Sequence, residues 1–362
     1  MPSNTHAHEY TELKGLLAQK RLFDRQPVYY TGKVLQNLSF LVLALASLIA
    51  TNLFWVQILN AAFLAFVFTQ IAFMGHDAGH RQMFQSSRKT HAFGLLCTLL
   101  TAISYSWWIE KHNQHHRYPN HLERDPDVRL RFLAFADEQT CATQGFRRCI
   151  VKHQARLFFP MLALQGFAIR VHSLTFLLDK RARLPIIESL SMAVHFLIYL
   201  GGVFSLLGVW QGMAFILVHQ TLFGLYMGSV FAPNHKGMLV LQSTCKVDHL
   251  RQQVLTARNV RSHPLTDFWF GGLNYQIEHH LFPHMARNKL KAAQPTVKAF
   301  CQARSIPYRE TSVWQAYQET LRYLHHVSAP LRHAGSGHQS DRRGPALEAG
   351  NGRGLQRRPG SY

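Results

Sequence analysis

Two long stretches of this chain contain no lysine or arginine, and this feature constrains the fold more than any other. The stretches are residues 34–80 and 184–235. Of the 39 lysines and arginines, 5 precede the first stretch, 16 lie between the two and 18 follow the second. A water-soluble globule carries charges along its whole surface. The pattern therefore excludes an ordinary soluble domain and indicates membrane-embedded segments.

Each stretch has room for two apolar helices of about 20 residues, the length that spans a bilayer. A break near Thr51 and Asn52 divides the first stretch, and a glycine-containing break at residues 208–212 divides the second. We therefore expect an all-α integral membrane protein with four transmembrane helices arranged as two hairpins. Residues 93–109 are also apolar, but the segment is short and polar residues interrupt it, so we expect an interfacial or re-entrant helix there.

The distribution of positive charge also predicts the topology. Four crossings return every lysine and arginine to one side of the membrane, and the positive-inside bias makes that side the cytoplasm. Both termini are expected there. We expect residues 1–33 to form an amphipathic segment lying on the membrane, residues 34–326 to form the membrane domain with a cytoplasmic helical cap, and residues 327–362 to form a disordered basic tail. No cleaved signal peptide is expected, because a long polar segment precedes the first apolar stretch.

The amino-acid composition limits the classes of partner and site that the chain can have. The net charge of +20 would suit a nucleic-acid-binding protein. The basic residues follow the predicted topology instead of forming an aromatic-interleaved surface, so we expect no nucleic-acid partner. Five cysteines without a CxxC pair predict neither a disulfide framework nor a zinc ribbon, and they suit a reducing, cytosol-facing environment.

Histidines outnumber all acidic residues, 23 to 19. Two clusters place histidines three or four residues apart, and a third places two histidines three and four residues after a glutamine. Side chains at this spacing share one helical face and can converge on a metal ion. All three clusters lie on the cytoplasmic side of the predicted topology. The clusters are His76 with His80, then His112 with His115 and His116, then His279 with His280, the last preceded by Gln276 in the leading position.

These seven imidazoles are too many for one metal ion and suit two, at about four nitrogen ligands each. Imidazole binds iron, copper, zinc and nickel, so the ligand type alone leaves the metal open. The HExxH signature of zinc hydrolases is absent, and so are the Glu-x-x-His pairs of soluble di-iron bundles. The pattern predicts a dinuclear centre of a different kind.

The sequences HDAGH, HNQHH and QIEHH resemble the three histidine boxes of the integral-membrane fatty-acid desaturases. The run GGLNYQIEHHLFP, residues 271–283, is similar to the third box of the front-end acyl desaturases, which carry Gln in its first place. The resemblance covers residues 75–283. It implies that the seven clustered histidines hold two non-haem iron ions on the cytosolic side of four membrane helices. It also implies that the enzyme uses O2 to insert a cis double bond into a long acyl chain, carried by CoA or by a membrane lipid.

An eighth ligand is expected because Gln276 leaves the third box one imidazole short. His235 is the candidate, since it closes the last predicted span at the depth of the boxes and resembles an extra ligand position of the family. The alternative is that His235 only flanks the helix end beside Lys236. Asp77, Asn113 and Glu278 are, like Gln276, candidates for metal contact or for holding an imidazole N–H group.

The electron donor is expected to be a separate protein, either ferredoxin-like or a flavin-linked reductase. The chain has no flavin or nicotinamide fingerprint, no cysteine set for an iron–sulfur cluster and no HPGG haem motif of a fused cytochrome domain. Basic loop residues, among them Arg251 and Arg258, are candidates for binding a phosphate or CoA headgroup, although any single one can simply mark the cytoplasmic side.

Two alternative functions stay open. A hydroxylase, an epoxygenase or a sphingolipid desaturase could use the same centre. A membrane electron carrier could instead hold haem between His195 and His219, which lie within the predicted spans. For these two histidines we expect the simpler arrangement, a neutral imidazole bonded to a backbone carbonyl.

Overall fold

The structure is a computed structural model that describes residues 3–242, 245 and 247–333. Its regular structure is helical, apart from the short parallel strands β1 (Asn259–Val260) and β2 (Glu310–Thr311). The predicted helical fold class is confirmed at this level. The helices are α1 (Ser3–Gln19), α2 (Pro27–Ala50), α3 (Phe54–Gly79), α4 (Ser87–Thr101), α5 (Tyr105–Arg117), α6 (Asp137–Cys141), α7 (Gly145–Lys152), α8 (Gln154–Ala163), α9 (Gln165–Leu178), α10 (Pro185–His235), α11 (His249–Leu255), α12 (Pro264–Trp269), α13 (Gln276–Leu281), α14 (Arg287–Ala303), α15 (Val313–Val327) and α16 (Ala329–His333).

Helices α2 and α3 form a hairpin. Two buried amides of α3 join it to α2: Gln57 donates to the carbonyl of Ser47 at 2.9 Å and Asn60 donates to the carbonyl of Ala44 at 3.0 Å. Such bonds satisfy polar groups where no water is available. The hairpin agrees with the break predicted near residues 51 and 52.

Helix α10 reverses its direction at Gly208, whose φ of +70° is accessible to glycine at little cost. The hydroxyl of Tyr199 lies 2.6 Å from Nδ1 of His219, although 20 residues of straight helix would separate them by about 30 Å. The two limbs of α10, residues 185–207 and 209–235, therefore form a second hairpin, with the break inside the predicted range.

Three described helices, α2, α3 and α10, are long and apolar enough to cross a membrane. Two further helix pairs would raise the number to five if each were counted as one span, but both are sharply bent: α4 with α5 by 111°, and α8 with α9 by 69°. The first pair contains the segment expected to be interfacial or re-entrant, and it bends just after the left-handed residue Ala102. The sequence analysis did not anticipate the second pair, which lies in the basic region between the apolar stretches.

The N-terminal segment packs against the cap and leads into the first apolar helix. Leu13 and Leu17 of α1 are fully buried against α11, α13 and α14. The apolar face of α1 that carries these leucines therefore packs into the cap. The first apolar helix begins at Pro27, before the predicted domain boundary, because proline suits the first turn of a helix.

Part of the segment predicted as a disordered tail is helical. Helix α16 lies within residues 327–362, and its Leu331 is buried in a cluster with Val151 and Val327. These contacts attach α16 to the rest of the described chain. The rest of the predicted tail, residues 334–362, lies outside the described residues.

Arg258 is a structural residue of the cap and not a headgroup contact. Its side chain is fully buried and forms an ion pair with Glu319, and it also donates to the carbonyls of Pro233 and Lys236. These bonds attach the end of α10 to α15. They fix the segment between those two carbonyls, which consists of Asn234 and His235.

Candidate metal centre

Five histidines from three parts of the chain converge at the end of α3. His76 lies in the last turn of α3 and His80 directly follows it, His112 and His116 lie one turn apart on α5, and His279 lies on α13. One ring nitrogen of each lies within 4.8 Å of those of the others. Nε2 of His112 is 2.8 Å from Nε2 of His80 and 3.1 Å from Nε2 of His116.

A second group contains three histidines: His115 of α5, His235 at the end of α10 and His280 of α13. All three are buried, and Nε2 of His115 lies 3.3 Å from Nε2 of His235. The rings of His116 and His280 stack with 4.2 Å between centroids, so the two groups are adjacent. The structure thus brings together all eight histidines that the sequence analysis selected, including His235.

In the second group, Nδ1 of every histidine forms a hydrogen bond with a buried acceptor. A hydrogen bond at Nδ1 fixes the orientation of an imidazole and leaves Nε2 as the lone-pair donor. The three pairs are His115 with the carboxylate of Asp125 at 3.0 Å, His235 with the carbonyl of Thr256 at 3.0 Å and His280 with Oε1 of Gln253 at 2.9 Å.

Several imidazole nitrogens in the centre are buried without a hydrogen-bond partner among the described residues. They include Nε2 of His76, Nε2 of His280 and both ring nitrogens of His279. Buried polar atoms in folded proteins are normally paired, so this set fits bound cations. Burial, then the neighbouring imidazoles, holds the pKa values of His279 and His280 well below their usual range. Neutral imidazole is the form that binds metal.

Asp77 contacts the first group. Its carboxylate lies 3.1 Å from Nδ1 of His76 and also accepts a hydrogen bond from Nε of Arg287 at 2.6 Å. Both Asp77 and Arg287 are buried. The predicted Asp77 therefore lies where it can orient His76.

Gln276 adjoins the second group through its amide nitrogen. Its Nε2 lies 2.9 Å from Nε2 of His235, and its Oε1 accepts a hydrogen bond from Asn234 at 3.0 Å. Since Nδ1 of His235 donates to Thr256, the amide donates to the lone pair of His235. In this arrangement the oxygen of Gln276, the atom able to bind a metal, faces Asn234.

Two other candidates do not reach the imidazoles. Asn113 is exposed on α5, on the face away from the clustered histidines. Glu278 is buried, but its carboxylate accepts hydrogen bonds from Asn259 at 2.7 Å and Tyr308 at 2.7 Å and contacts no histidine ring. Burial raises the pKa of Glu278 to about 7.

Sequence reasoning missed Asp125, Gln253 and Thr256. Asp125 is fully buried and also accepts the backbone N–H groups of Asn120 at 2.7 Å and Asp127 at 2.8 Å. It lies in a loop after α5, so helical spacing does not connect it with His115. The only signal was its closeness in sequence to the second cluster.

His195 and His219 lie outside both groups. Nδ1 of His195 contacts the carbonyl of Leu99 at 2.9 Å, as predicted. His219 differs, since its Nδ1 contacts the hydroxyl of Tyr199. Phe68 packs edge-on against both rings, with centroid distances of 6.0 and 4.6 Å. This arrangement lends no support to a haem held between the two histidines.

A cavity of about 210 Å³ adjoins the two groups. Five of the clustered histidines lie on its wall, and Trp107 and Trp108 also line it. Most of its remaining surface is apolar. Its apolar side chains include Leu133, Phe135, Phe158, Leu162, Ile169, Met227 and Phe231.

Residues 53–312 match the family model described as fatty acid desaturase. The chain belongs to the fatty acid desaturase family. This result confirms the resemblance and assigns the chain to a family of oxidoreductases that act on fatty acids. Together with its long apolar helices, it identifies an integral membrane protein.

Three curated relatives are each 27% identical to this desaturase. They are the acyl-lipid (9-3)-desaturase of Physcomitrium patens, the delta(8)-fatty-acid desaturase 2 of Arabidopsis thaliana and the delta(6)-fatty-acid desaturase fat-3 of Caenorhabditis elegans. The matches cover 88%, 91% and 89% of this chain. They cover 62%, 76% and 75% of the respective relatives, so the chain spans less than two thirds of the Physcomitrium protein.

Proposed function

We propose that the eight clustered histidines hold two iron ions and that the chain inserts a cis double bond into an acyl chain lying in the adjoining cavity. The observation that carries this proposal is that the clustered histidines border the cavity. Part of the wall of this largely apolar cavity is formed by His76, His112, His115, His235 and His279. A methylene chain in this cavity would lie directly against the metal-binding atoms.

Iron, when bound with O2 and two external electrons, would supply the oxidising power needed to remove hydrogen from unactivated methylenes. The protein supplies orientation and a dry environment. Asp125, Thr256 and Gln253 hold three imidazoles at Nδ1, which leaves Nε2 of each as the lone-pair atom, and Asp77 supports a fourth imidazole. The apolar cavity wall excludes water and orders a flexible chain.

The proposal includes four transmembrane segments: α2, α3 and the two limbs of α10. Both termini then lie in the cytoplasm with the cap and the metal centre. Electrons come from a separate protein, ferredoxin-like or a flavin-linked reductase. The membrane location suits a substrate that is itself a lipid tail, carried by CoA or by a membrane lipid.

We further propose that the chain is a front-end enzyme, which inserts the new double bond toward the carboxyl end of the acyl chain. The support is the Gln276-containing third box and the names of the relatives, which include delta(8)-, delta(6)- and delta(5)-desaturases. No nucleic-acid partner is part of this proposal.

The deciding experiment is expression of the full chain in a host with a simple fatty-acid profile, followed by mass spectrometry of derivatised esters. New double bonds that disappear in a His115→Ala variant would support desaturation. Hydroxylated products would instead support a hydroxylase on the same centre. A Soret absorption band in the purified protein would indicate a haem carrier and contradict the non-haem proposal.

A further inference from the structure

A second cavity, of about 160 Å³, lies where the cap meets the first hairpin. None of its lining residues lines the cavity beside the histidines. Its walls come from α2, α3, α12 and α14 and from the turn before α13. A ligand in it would therefore be distinct from the acyl chain in the histidine-lined cavity.

Positive charge dominates this second cavity. Lys33 of α2 and Arg287 and Lys291 of α14 line it, and Asp267 is its only lining carboxylate. Asp267 already accepts hydrogen bonds from Lys291 at 3.0 Å and from Tyr275 at 3.0 Å. The cavity thus has more positive than negative groups even after the contact of Arg287 with Asp77 is counted.

Two of these cations retain unused hydrogen-bond donors. The ammonium of Lys33 contacts Oε1 of Gln36 at 3.0 Å and forms no ion pair with a described carboxylate. Arg287 is 7% exposed and directs Nε and Nη2 toward Asp77 and the carbonyl of Phe73. Its Nη1 has no hydrogen-bond partner among the described residues. This nitrogen can therefore donate to a ligand in the cavity.

A glycine pair keeps this guanidinium uncovered. Gly271 and Gly272 adopt left-handed φ values of +58° and +81°. A Cβ atom at Gly271 would lie 3.0 Å from Nη1 of Arg287 and 2.7 Å from Phe73. The turn therefore leaves space on the cavity side of Arg287 that a side chain would fill.

Exposed apolar side chains flank the second cavity. Lys33 lies near the start of α2, between the exposed side chains of Val28 and Leu35. Beside the cavity, α12 exposes Leu265, Phe268 and Trp269, an apolar and aromatic set typical of a membrane interface. Phosphate groups of a bilayer lie at such an interface.

We propose that the second cavity binds the phosphate group of a membrane phospholipid. A phosphate offers several acceptor oxygens and negative charge to the ammonium of Lys33, to Nη1 of Arg287 and to Lys291. The acyl tails of the lipid would lie along the exposed apolar surface of α2 and α12. Because Arg287 also contacts Asp77, the bound lipid would be linked through two side chains to His76.

The test uses the full-length protein, extracted in neutral detergent and reconstituted with vesicles of phosphatidylglycerol and phosphatidylcholine. Retained phospholipid is measured by native mass spectrometry after detergent exchange. We compare a Lys33→Gln/Lys291→Gln variant with a Lys298→Gln control, a lysine of the same helix that pairs with Glu310 and lies outside the cavity. The double variant is expected to retain less phospholipid by about tenfold or more, since each lysine near anionic lipid contributes about 1 kcal/mol. The control should match the wild type.

Equal retention by the wild type and the double variant would overturn the site. A parallel measurement with radiolabelled inorganic phosphate tests the source of the anion: phosphate binding without lipid retention would overturn the lipid assignment. If the double variant does not fold, the single Lys33→Gln change replaces it, because Lys33 makes no ion pair within the described chain. None of these outcomes depends on desaturation, so the test is independent of the proposed function.

Discussion

The Nε2 atoms of His115 and His235 lie 3.3 Å apart, although 120 positions separate the two residues in sequence. His115 belongs to the second histidine box, whereas His235 ends α10 and belongs to no box. Their approach depends on Asn120, which donates to the carbonyl of His235 at 3.0 Å and thereby attaches the loop after α5 to α10. Because His235 lies this close to His115, it is as well placed to bind a metal ion as the histidines of the boxes.

The His235→Ala variant is expected to lose activity and metal together. The variant removes one of the three imidazoles in the second group, a nitrogen donor that water does not replace in the same geometry. We therefore expect activity to fall by about 100-fold or more. Iron per chain and product formation are the measurements. His153→Ala, at an exposed histidine, is the matched control and should behave as the wild type. An active, iron-replete His235→Ala protein would show that the other seven histidines suffice.

Asp125→Asn is expected to weaken metal binding by about 10- to 100-fold, because Asp125 holds Nδ1 of His115. Titration of iron into the purified, metal-depleted variant measures the change. Glu123→Gln is the control, since Glu123 lies nearby in sequence but is exposed and pairs with His121. Equal affinity in the Asp125→Asn variant and the wild type would exclude an orienting role for Asp125.

Gln276→Ala should be milder than His235→Ala, because Gln276 presents its amide nitrogen to His235 and its oxygen to Asn234. We expect partial iron retention and an activity loss of about tenfold, as for a residue that supports a ligand. Product formation per bound iron is the readout. Complete loss of iron in Gln276→Ala would instead indicate that its oxygen turns toward the metal. Gln276→His should be tolerated if the imidazole reaches that site.

Glu278 predicts a specific dependence of stability on pH. Burial raises its pKa from the ordinary value of 4.5 to about 7, so the folded chain holds a proton that the unfolded chain releases. The resulting stabilisation is present below pH 4.5 and is lost as the pH rises through about 7. Relative to Glu278→Gln, the wild type should lose about 3 kcal/mol across this range.

Thermal denaturation in detergent at several pH values, with Glu138→Gln as an exposed control, measures the effect of Glu278. The Glu278→Gln variant also loses an acceptor for Asn259 or Tyr308, which lowers its stability at every pH. Only the difference in pH dependence therefore reports the titration of Glu278. Parallel profiles for Glu278→Gln and the wild type would contradict the raised pKa.

Local spacing in the sequence was enough to select the seven histidines of the boxes, and the distribution of charge was enough to predict both hairpins. Residues one turn apart on a helix share a face wherever that helix lies, so His112 and His116 could be paired without knowledge of the fold. The absence of lysine and arginine likewise marks apolar helices from composition alone. The family also followed from these short motifs, because they contain the residues that define its boxes.

Contacts between distant elements needed the tertiary structure. The packing of loops and short helices against α5 and α10 brings three residues to the metal centre: Asp125, Gln253 and Thr256. No periodic pattern in the sequence indicates this packing. Burial of Leu13 and Leu17 against the cap also depends on a partner surface formed elsewhere in the chain. The sequence thus determines which side chains share one helical face, whereas the tertiary packing determines which of these faces contact each other.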